Sequence, residues 1–208
     1  MSPEASLTPG AVDGSILEAL CRDDVPSPYH ASYTFTVPAG TLVARFALRS
    51  ADVSSPRDDN DLVVVLPDNS TIYSGNATSD EAVQLLSPMP GTYKACVLAY
   101  AGTAPMKHRL SSWIVGPGDG AGLKLLTPAS VYAGGTASLG LSWSGLSTGK
   151  RYVGGVQYLG PNGEAAATNA VRVDTDGTVQ VLNEQAPTVP AKLAARHAKV
   201  DRALPSTR

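Results

Sequence analysis

Hydrophobic and polar residues alternate along much of the first half of the chain, and turn-forming residues interrupt the alternation. In ASYTFTVPAG (31–40), Tyr33, Phe35 and Val37 alternate with polar residues before a Pro-Ala-Gly turn. This period of two predicts a half-buried strand. Further strand candidates lie at 41–50, 61–67, 70–75, 81–88, 91–102 and 108–116. Short strands at this spacing are typical of a β-sandwich or jelly roll.

A glycine-rich stretch, GPGDGAG (116–122), follows these segments and is interpreted as an interdomain linker. Four more strand candidates come after it, with Pro-Asn-Gly and Asp-Gly turns between them. We therefore predict an all-β chain: a jelly-roll-like β-sandwich over 27–118 and a smaller fibronectin-III-like or Ig-like β domain over 119–182. Residues 1–26 form an N-terminal segment that packs on the sandwich or leads into it.

The C-terminal tail, residues 183–208, differs in character from the rest of the chain. Apolar residues and one histidine recur there at helical spacing: Leu193, His197, Val200 and Leu204. A short helix that docks or binds a partner is one interpretation. A frayed terminal helix or a disordered tail is the alternative.

Strand alternation also assigns residues to the core. In the first β region we predict inward side chains at Leu62, Val64, Leu66, Tyr93, Ala95 and Val97. In the second region we predict that Trp143 and Tyr152 are packed inside.

The opposite face of the first sheet would then carry Val63, Val65 and Leu98, which is unusually apolar for a solvated surface. Something should therefore cover it. The segment SILEALC (15–21), a helical turn or a strand, offers Ile16, Leu17 and Leu20 just before Cys21. We predict that this segment packs over the outer face.

The chain has two cysteines, Cys21 and Cys96. Two cysteines alone do not make a structural zinc site, which takes four ligands. Alternation places Cys96 on the outer face, so a Cys21–Cys96 disulfide would pin the N-terminal segment there. Two free thiols, with residues 1–26 disordered, are the alternative.

The composition changes this picture little but excludes some partners. Charged residues make up 16% and the net charge is −2, so nothing predicts nucleic-acid binding. No segment approaches the ~20 apolar residues of a membrane-spanning helix, and the first residues are not a signal peptide. The many Ser, Thr and Gly residues indicate a secreted protein, interpreted as a piece of a longer precursor.

The polar run DDND (58–61) precedes the strand LVVVL. Asp58, Asp59 and Asp61 could supply oxygen ligands to calcium, the only cofactor that the sequence suggests. However, strand alternation sends neighbouring side chains to opposite faces. A solvated strand entry is therefore the main alternative, and a pair of catalytic carboxylates is a third.

Catalytic motifs are weak in this sequence. GLSTG (145–149) matches the G-x-S-x-G pattern, which is meaningful only in a strand–turn–helix elbow. Here it joins two predicted strands, so we interpret Ser147 as a turn residue and assign no catalytic residue.

Three segments together resemble the bacterial pre-peptidase C-terminal domain: DDNDLVVVLPDNSTIYSG, EAVQLLSPMPGTYKACVLAY and SSWIVG. The segment from 126 to 160 is similar to the fibronectin-III-like segment at the C-terminus of secreted subtilisin-like serine proteases of peptidase family S8. The resemblance covers about residues 28–175. Val63 and Val65 stand where that family has aromatic residues, and Asn69 where its turn has glycine.

The resemblance implies a non-catalytic C-terminal accessory region of a secreted subtilisin-like protease, which aids stability, secretion or maturation. Its partner would be the catalytic domain of the same precursor. The alternative is a module that targets collagen or a glycan, since some relatives in collagenases bind calcium and collagen. Sandwich binding faces carry exposed aromatic residues, and the candidates here are Tyr29, Tyr73, Tyr132 and Tyr158.

Overall fold

The computed structural model describes residues 1–10, 13–118, 122–132 and 134–175. These residues belong to one compact unit, Met1–Asp176. They form a mostly β structure with one short α-helix and several antiparallel sheets. None of the helices in the described ranges has the length and apolar character needed to span a membrane.

Nine strands and the helix lie N-terminal to residue 116. In chain order they are β1 (Ala5–Leu7), α1 (Gly14–Arg22), β2 (His30–Val37), β3 (Val43–Ala47), β4 (Asp59–Val65), β5 (Thr71–Ser74), β6 (Ala82–Leu86), β7 (Gly91–Ala101), β8 (Met106–His108) and β9 (Ser111–Val115). Four strands follow in the described part of the chain: β10 (Leu123–Leu126), β11 (Gly140–Trp143), β12 (Arg151–Leu159) and β13 (Ala165–Asp174).

The strands predicted from alternation are confirmed, and they form two larger sheets. One sheet has four strands in the order β2-β7-β4-β5, and the other has three in the order β6-β3-β9. All neighbouring strands are antiparallel, and β5 is the hairpin partner of β4 as predicted. The turn between them holds Asn69 at a positive φ of 65°, a conformation that asparagine tolerates better than most residues.

Side chains from both sheets share one hydrophobic core. Phe46 of β3 lies 5.0 Å from Phe35 of β2 and 6.4 Å from Tyr93 of β7, measured between ring centroids. All six predicted inward residues belong to this core, although Leu66 is only partly buried. The period of two in β4 and β7 therefore identified the core face correctly.

The outer face of the four-stranded sheet is covered by α1, as predicted. Leu17 and Cys21 of the helix pack with Val63, Val65 and Leu98 of the sheet in a second hydrophobic cluster. Cys21 and Cys96 form a disulfide with a sequence separation of 75 residues. Leu20 packs against this cluster, but the expectation for Ile16 was wrong, because its side chain is 52% exposed.

Asp13 begins the helix that makes this cover. Its carboxylate accepts hydrogen bonds from the Ser15 amide at 2.8 Å and from the Ser15 hydroxyl at 2.5 Å. An aspartate at this position satisfies a backbone N–H that has no partner within the helix. The segment 15–21 was predicted as a helical turn or a strand, and this cap accompanies a helix of nine residues.

The second β region consists of two separate two-stranded sheets, β10–β11 and β12–β13. The predicted packing of Trp143 inside it was wrong, since that side chain is 50% exposed and Tyr152 is only half-buried. Every residue of β11 is exposed, because no third strand or helix in the described residues covers that ribbon.

The β12–β13 ribbon instead packs against the outer face of the three-stranded sheet. Arg151 forms an ion pair with Asp52 at 2.7 Å, and the Ser87 and Thr168 hydroxyls are 2.8 Å apart. This contact explains why Val43 and Ala47, which alternate away from the core, are nevertheless buried.

The N-terminal residues are fastened to the segment 106–110. β1 pairs with β8, and Ser2 bonds to Leu110 through its amide and its hydroxyl. The predicted boundaries at 118 and 182 stay predictions, and the C-terminal tail with Leu193, His197, Val200 and Leu204 lies outside the described residues.

Candidate functional site

The polar run at 58–61 is buried rather than solvated. Asp58 and Asp61 are each 2% exposed, and Asn60 is completely buried. Asp59 is half-buried. The interpretation of this stretch as a solvated strand entry was therefore wrong. The reason is that β7, the 76–80 loop and the N-terminus of α1 lie against the start of β4.

Asp58 and Asn60 hold neighbouring loops in place. The Asp58 carboxylate accepts hydrogen bonds from the Ser54 hydroxyl at 2.7 Å and the Ser55 amide at 3.0 Å. The Ser79 hydroxyl donates to the Asp58 carbonyl oxygen at 2.6 Å and lies 3.0 Å from both the backbone and side-chain nitrogens of Asn60. These bonds fix the entry of β4, and they direct Asp58 away from Asp59 and Asp61.

Asp59 and Asp61 line a cleft of about 570 Å³ between α1 and the β4–β5 hairpin. Alternation places Asp61 on the same outer face of β4 as Val63, next to the cluster beneath the helix. The cleft, called here the acidic cleft, also receives Asp13 and Glu18 from the helix segment. Its other side chains come from Ser15, Tyr73, Asn76, Ala77 and Tyr100.

Tyr73 organises the floor of the acidic cleft. Its hydroxyl donates to Asp61 Oδ2 at 2.5 Å. Its ring lies over Gly75, where an added Cβ would come within 2.4 Å of the hydroxyl oxygen. Only glycine leaves room for the ring at that position. The hydroxyl of Thr71, two residues before Tyr73 on β5, donates to Glu18 and so joins the hairpin to the helix.

Burial and like charge disturb the ionisation of these groups. Burial raises the pKa of Asp61 to about 6, although the hydrogen bond from Tyr73 acts in the opposite direction. The pKa of Asp59 is raised mainly by burial and secondly by the charge of Glu81. Burial and the bond to Asp61 raise the pKa of Tyr73. Asp59 and Asp61 therefore take up a proton more readily than isolated aspartates do.

Glu81 is a buried carboxylate next to this cleft, and it is 1% exposed. It accepts hydrogen bonds from the Ser74 hydroxyl, from the Asn76 amide at 2.5 Å and from the Asn76 side chain at 3.0 Å. Since charge-assisted bonds are the strong ones, Glu81 fixes the 74–81 loop that borders the acidic cleft.

The acidic cleft has the chemistry to attract a cation or a ligand with several hydrogen-bond donors. Calcium takes six to eight oxygen ligands. Of the three proposed ligands, Asp59 and Asp61 share the cleft, whereas Asp58 is engaged elsewhere. Across the described residues, no group of three or more His, Cys, Asp or Glu side chains has an arrangement that could hold a metal ion. The calcium site stays a prediction.

Neither Ser147 nor the buried His108 lines this cleft. Ser147 lies in the connection between β11 and β12, and its amide donates to the Tyr152 hydroxyl at 2.9 Å. It is therefore a turn serine, as interpreted from the sequence. His108 is completely buried, its Nε2 is 2.9 Å from the Tyr33 hydroxyl, and burial lowers its pKa to about 4.

Sequence reasoning found Asp59 and Asp61 but missed the other groups around them. Asp13 and Glu18 are remote from β4 in sequence and reach the cleft only when α1 docks on the sheet, whereas Tyr100 reaches it through the pairing of β7 with β4. The predicted packing of the 15–21 segment on the sheet carried the signal for Glu18, because Glu18 lies next to Leu17, which faces the sheet. Of the four candidate exposed tyrosines, Tyr73, Tyr132 and Tyr158 are exposed, whereas Tyr29 is half-buried and packs near the disulfide.

Comparison with models of known protein families and with curated protein sequences gave no match for this chain.

Proposed function

We propose that this chain is a non-catalytic accessory region of a secreted subtilisin-like serine protease and that it aids stability, secretion or maturation. In this proposal the first β region is a jelly-roll-like sandwich of the pre-peptidase C-terminal type. The second is a smaller fibronectin-III-like β domain. The partner is the catalytic domain of the same precursor, and no cofactor is needed for this role.

The observation that best supports this proposal is the fastening of the N-terminal segment. The helix is bonded through Cys21 to Cys96, and β1 is hydrogen-bonded to β8. A catalytic domain attached on the N-terminal side would thus be joined to a segment that the disulfide and the β1–β8 pairing hold on the first β region. A disulfide also suits an extracellular, oxidising environment.

The experiment compares the complete precursor with a version that lacks residues 1–208. We expect removal to lower the secreted yield and the half-life of peptidase activity at elevated temperature. The kcat/KM on a short peptide should not change, because the chain supplies no catalytic group. A precursor that contains no peptidase domain would overturn the proposal.

A targeting module is the second candidate, and the exposed aromatic residues favour it. Tyr73 and Tyr100 border the acidic cleft, and each is 47% exposed. Tyrosine rings beside carboxylates suit a polyhydroxyl ligand or a basic protein segment. Pull-down on insoluble collagen and on polysaccharides tests this role. Binding that is lost in a Tyr73→Ala, Tyr100→Ala double variant would favour targeting over stabilisation.

A further inference from the structure

The β10–β11 ribbon and the loop that connects its two strands are largely surrounded by solvent. The two strands pair with each other and with no other described strand. Every described residue from 124 to 145 is exposed. These residues are called here the exposed hairpin.

The exposed hairpin presents large apolar side chains to solvent. Leu126 at the end of β10 is 80% exposed, and Val131 and Tyr132 in the connecting loop are 61% and 94% exposed. Four further large apolar residues of the hairpin are also exposed: Leu125, Leu139, Leu141 and Trp143. A group of exposed apolar side chains of this size indicates an interaction site.

Val131 and Tyr132 lie near the middle of the loop. Leu126 pairs with Gly140, so the loop leaves the ribbon and returns to it at one level. A turn follows Tyr132, in which the Gly135 amide donates to the Tyr132 carbonyl oxygen at 2.9 Å. The most exposed aromatic ring of the hairpin therefore lies beside this turn, away from the paired strands.

The charge around the exposed hairpin has one sign. The sequence has no Asp or Glu between Asp119 and Glu164, and no charged residue between Lys124 and Lys150. In the register of the ribbon, Lys124 lies on the same face of β10 as Leu126. Two residues of a strand separate them by about 7 Å along its axis. The hairpin is therefore apolar at its loop and cationic at its base.

This order matches the layers of a lipid bilayer. Tyrosine and tryptophan are enriched where hydrocarbon meets water. Apolar groups of surface-bound segments enter a bilayer by about 5–10 Å, which is close to the separation of Leu126 from Lys124. Protein interfaces instead surround an apolar centre with a polar rim. Here the polarity changes along the hairpin rather than around a centre, and this favours a lipid surface over a protein partner.

We propose that the exposed hairpin binds the surface of a lipid bilayer with anionic headgroups. Val131 and Tyr132 enter the headgroup region, and Lys124 at the base contacts the lipid phosphates. Each lysine near such a surface strengthens binding, because anionic lipids give it a negative potential. This surface is separate from the acidic cleft, and the proposal does not rest on the protease partnership.

The test mixes the full chain with vesicles of phosphatidylcholine, with or without phosphatidylglycerol, and measures the bound fraction by flotation. We expect binding to the anionic vesicles, weakening with added salt because ions screen the charges. A Val131→Ser, Tyr132→Ser double variant should lower the partition coefficient at least about tenfold, since two apolar side chains are lost. Ile16→Ser is the matched control, because Ile16 is an exposed apolar residue of α1, and it should have no effect.

The role of the lysine is measured separately. Lys124→Gln should weaken binding to the anionic vesicles about fivefold and leave binding to neutral vesicles unchanged. Lys107→Gln on β8 is the control, and it should not weaken binding to either. All of these positions are exposed, so the urea midpoints of the variants should match that of the unmodified chain. Tyr132→Trp places a reporter in the loop, and its emission should shift to shorter wavelength on the anionic vesicles.

Several results would overturn the proposal. They are an absence of binding to the anionic vesicles, or equal losses in Ile16→Ser and in the double variant of the loop. Displacement of the chain from vesicles by excess soluble glycerol phosphate would show that Lys124 binds free phosphate rather than a bilayer. In sedimentation velocity, a dimer that the double variant converts to a monomer would assign the hairpin to a second copy of this chain instead.

Discussion

Cys21 of α1 is bonded to Cys96 in the middle of β7, and both side chains are completely buried. The bond joins the only described α-helix to the longest described strand, across a separation of 75 residues. The cluster of Leu17, Val63 and Leu98 around it is separate from the core between the sheets. The helix is therefore held both by a covalent link and by its own hydrophobic contact.

The disulfide should contribute measurably to stability. A Cys21→Ser, Cys96→Ser double variant should lose about 4 kcal/mol of unfolding free energy, from the chain entropy of a loop of this length. Urea unfolding with and without reductant measures this loss. Reductant should destabilise the unmodified chain and leave the double variant unchanged. Two free thiols in the unfolded, unreduced protein would contradict the disulfide.

The hydrophobic contact of the helix can be tested independently of the disulfide. Leu17→Ala should lower the unfolding free energy by about 2–5 kcal/mol, because Leu17 is completely buried between helix and sheet. Ile16→Ala is the matched control on the same helix. It should change stability by less than about 0.5 kcal/mol, since Ile16 is largely exposed. Equal losses would mean that the helix does not present Leu17 to the sheet.

Alternation was enough to predict this part of the fold. In β4 and β7 a period of two separates Leu62 and Tyr93 from Val63 and Leu98, and the apolar outer face then requires a cover. The same logic failed for Trp143, because alternation gives the face of a side chain but not what lies opposite it. In β11 nothing among the described residues covers that face, whereas in β3 the β12–β13 ribbon covers a face that alternation would leave in solvent.

The acidic cleft was predictable only in part for a related reason. Asp59 and Asp61 are close in sequence, so their common face follows from strand geometry. Their neighbours Glu18 and Tyr100 arrive from α1 and from the end of β7. Such contacts depend on how the elements dock, which no local pattern encodes. The burial of the DDND run was missed for the same reason.

Asp61 should make stability depend on pH between about 4 and 6. Its pKa is about 6 in the folded chain, above the value of 3.8 expected for an exposed aspartate, mainly because it is buried. The folded state therefore binds more protons than the unfolded state in this window, and stability falls as pH rises through it. Asp61→Asn cannot ionise, so its stability relative to the unmodified chain should increase from pH 4.5 to pH 7.5.

Urea unfolding at the two pH values, in buffer with chelator, measures this difference. Asp68→Asn is the control, because Asp68 lies on the exposed turn after β4 and its pKa is lowered by hydrogen bonds from Ser70. It should not show a relative gain at pH 7.5. If Asp61→Asn shows the same relative stability at both pH values, Asp61 is not protonated in the folded chain at pH 4.5.

Calcium binding at the acidic cleft gives the last prediction, and the structure divides its three proposed ligands. Asp59 and Asp61 face the cleft beside Glu18, whereas Asp58 is bonded to Ser54 and Ser55. If calcium binds there, millimolar calcium should raise the melting temperature relative to chelator, because a ligand of the folded state alone stabilises it. Asp59→Asn should abolish that increase, since a half-buried carboxylate in the cleft is lost.

Asp58→Asn should lower the melting temperature in both buffers and preserve the increase, because its bonds hold the β4 entry rather than the cleft. Differential scanning calorimetry at pH 7.5, with magnesium as the control ion, distinguishes these cases. Equal melting temperatures in calcium and chelator for the unmodified chain would refute the site.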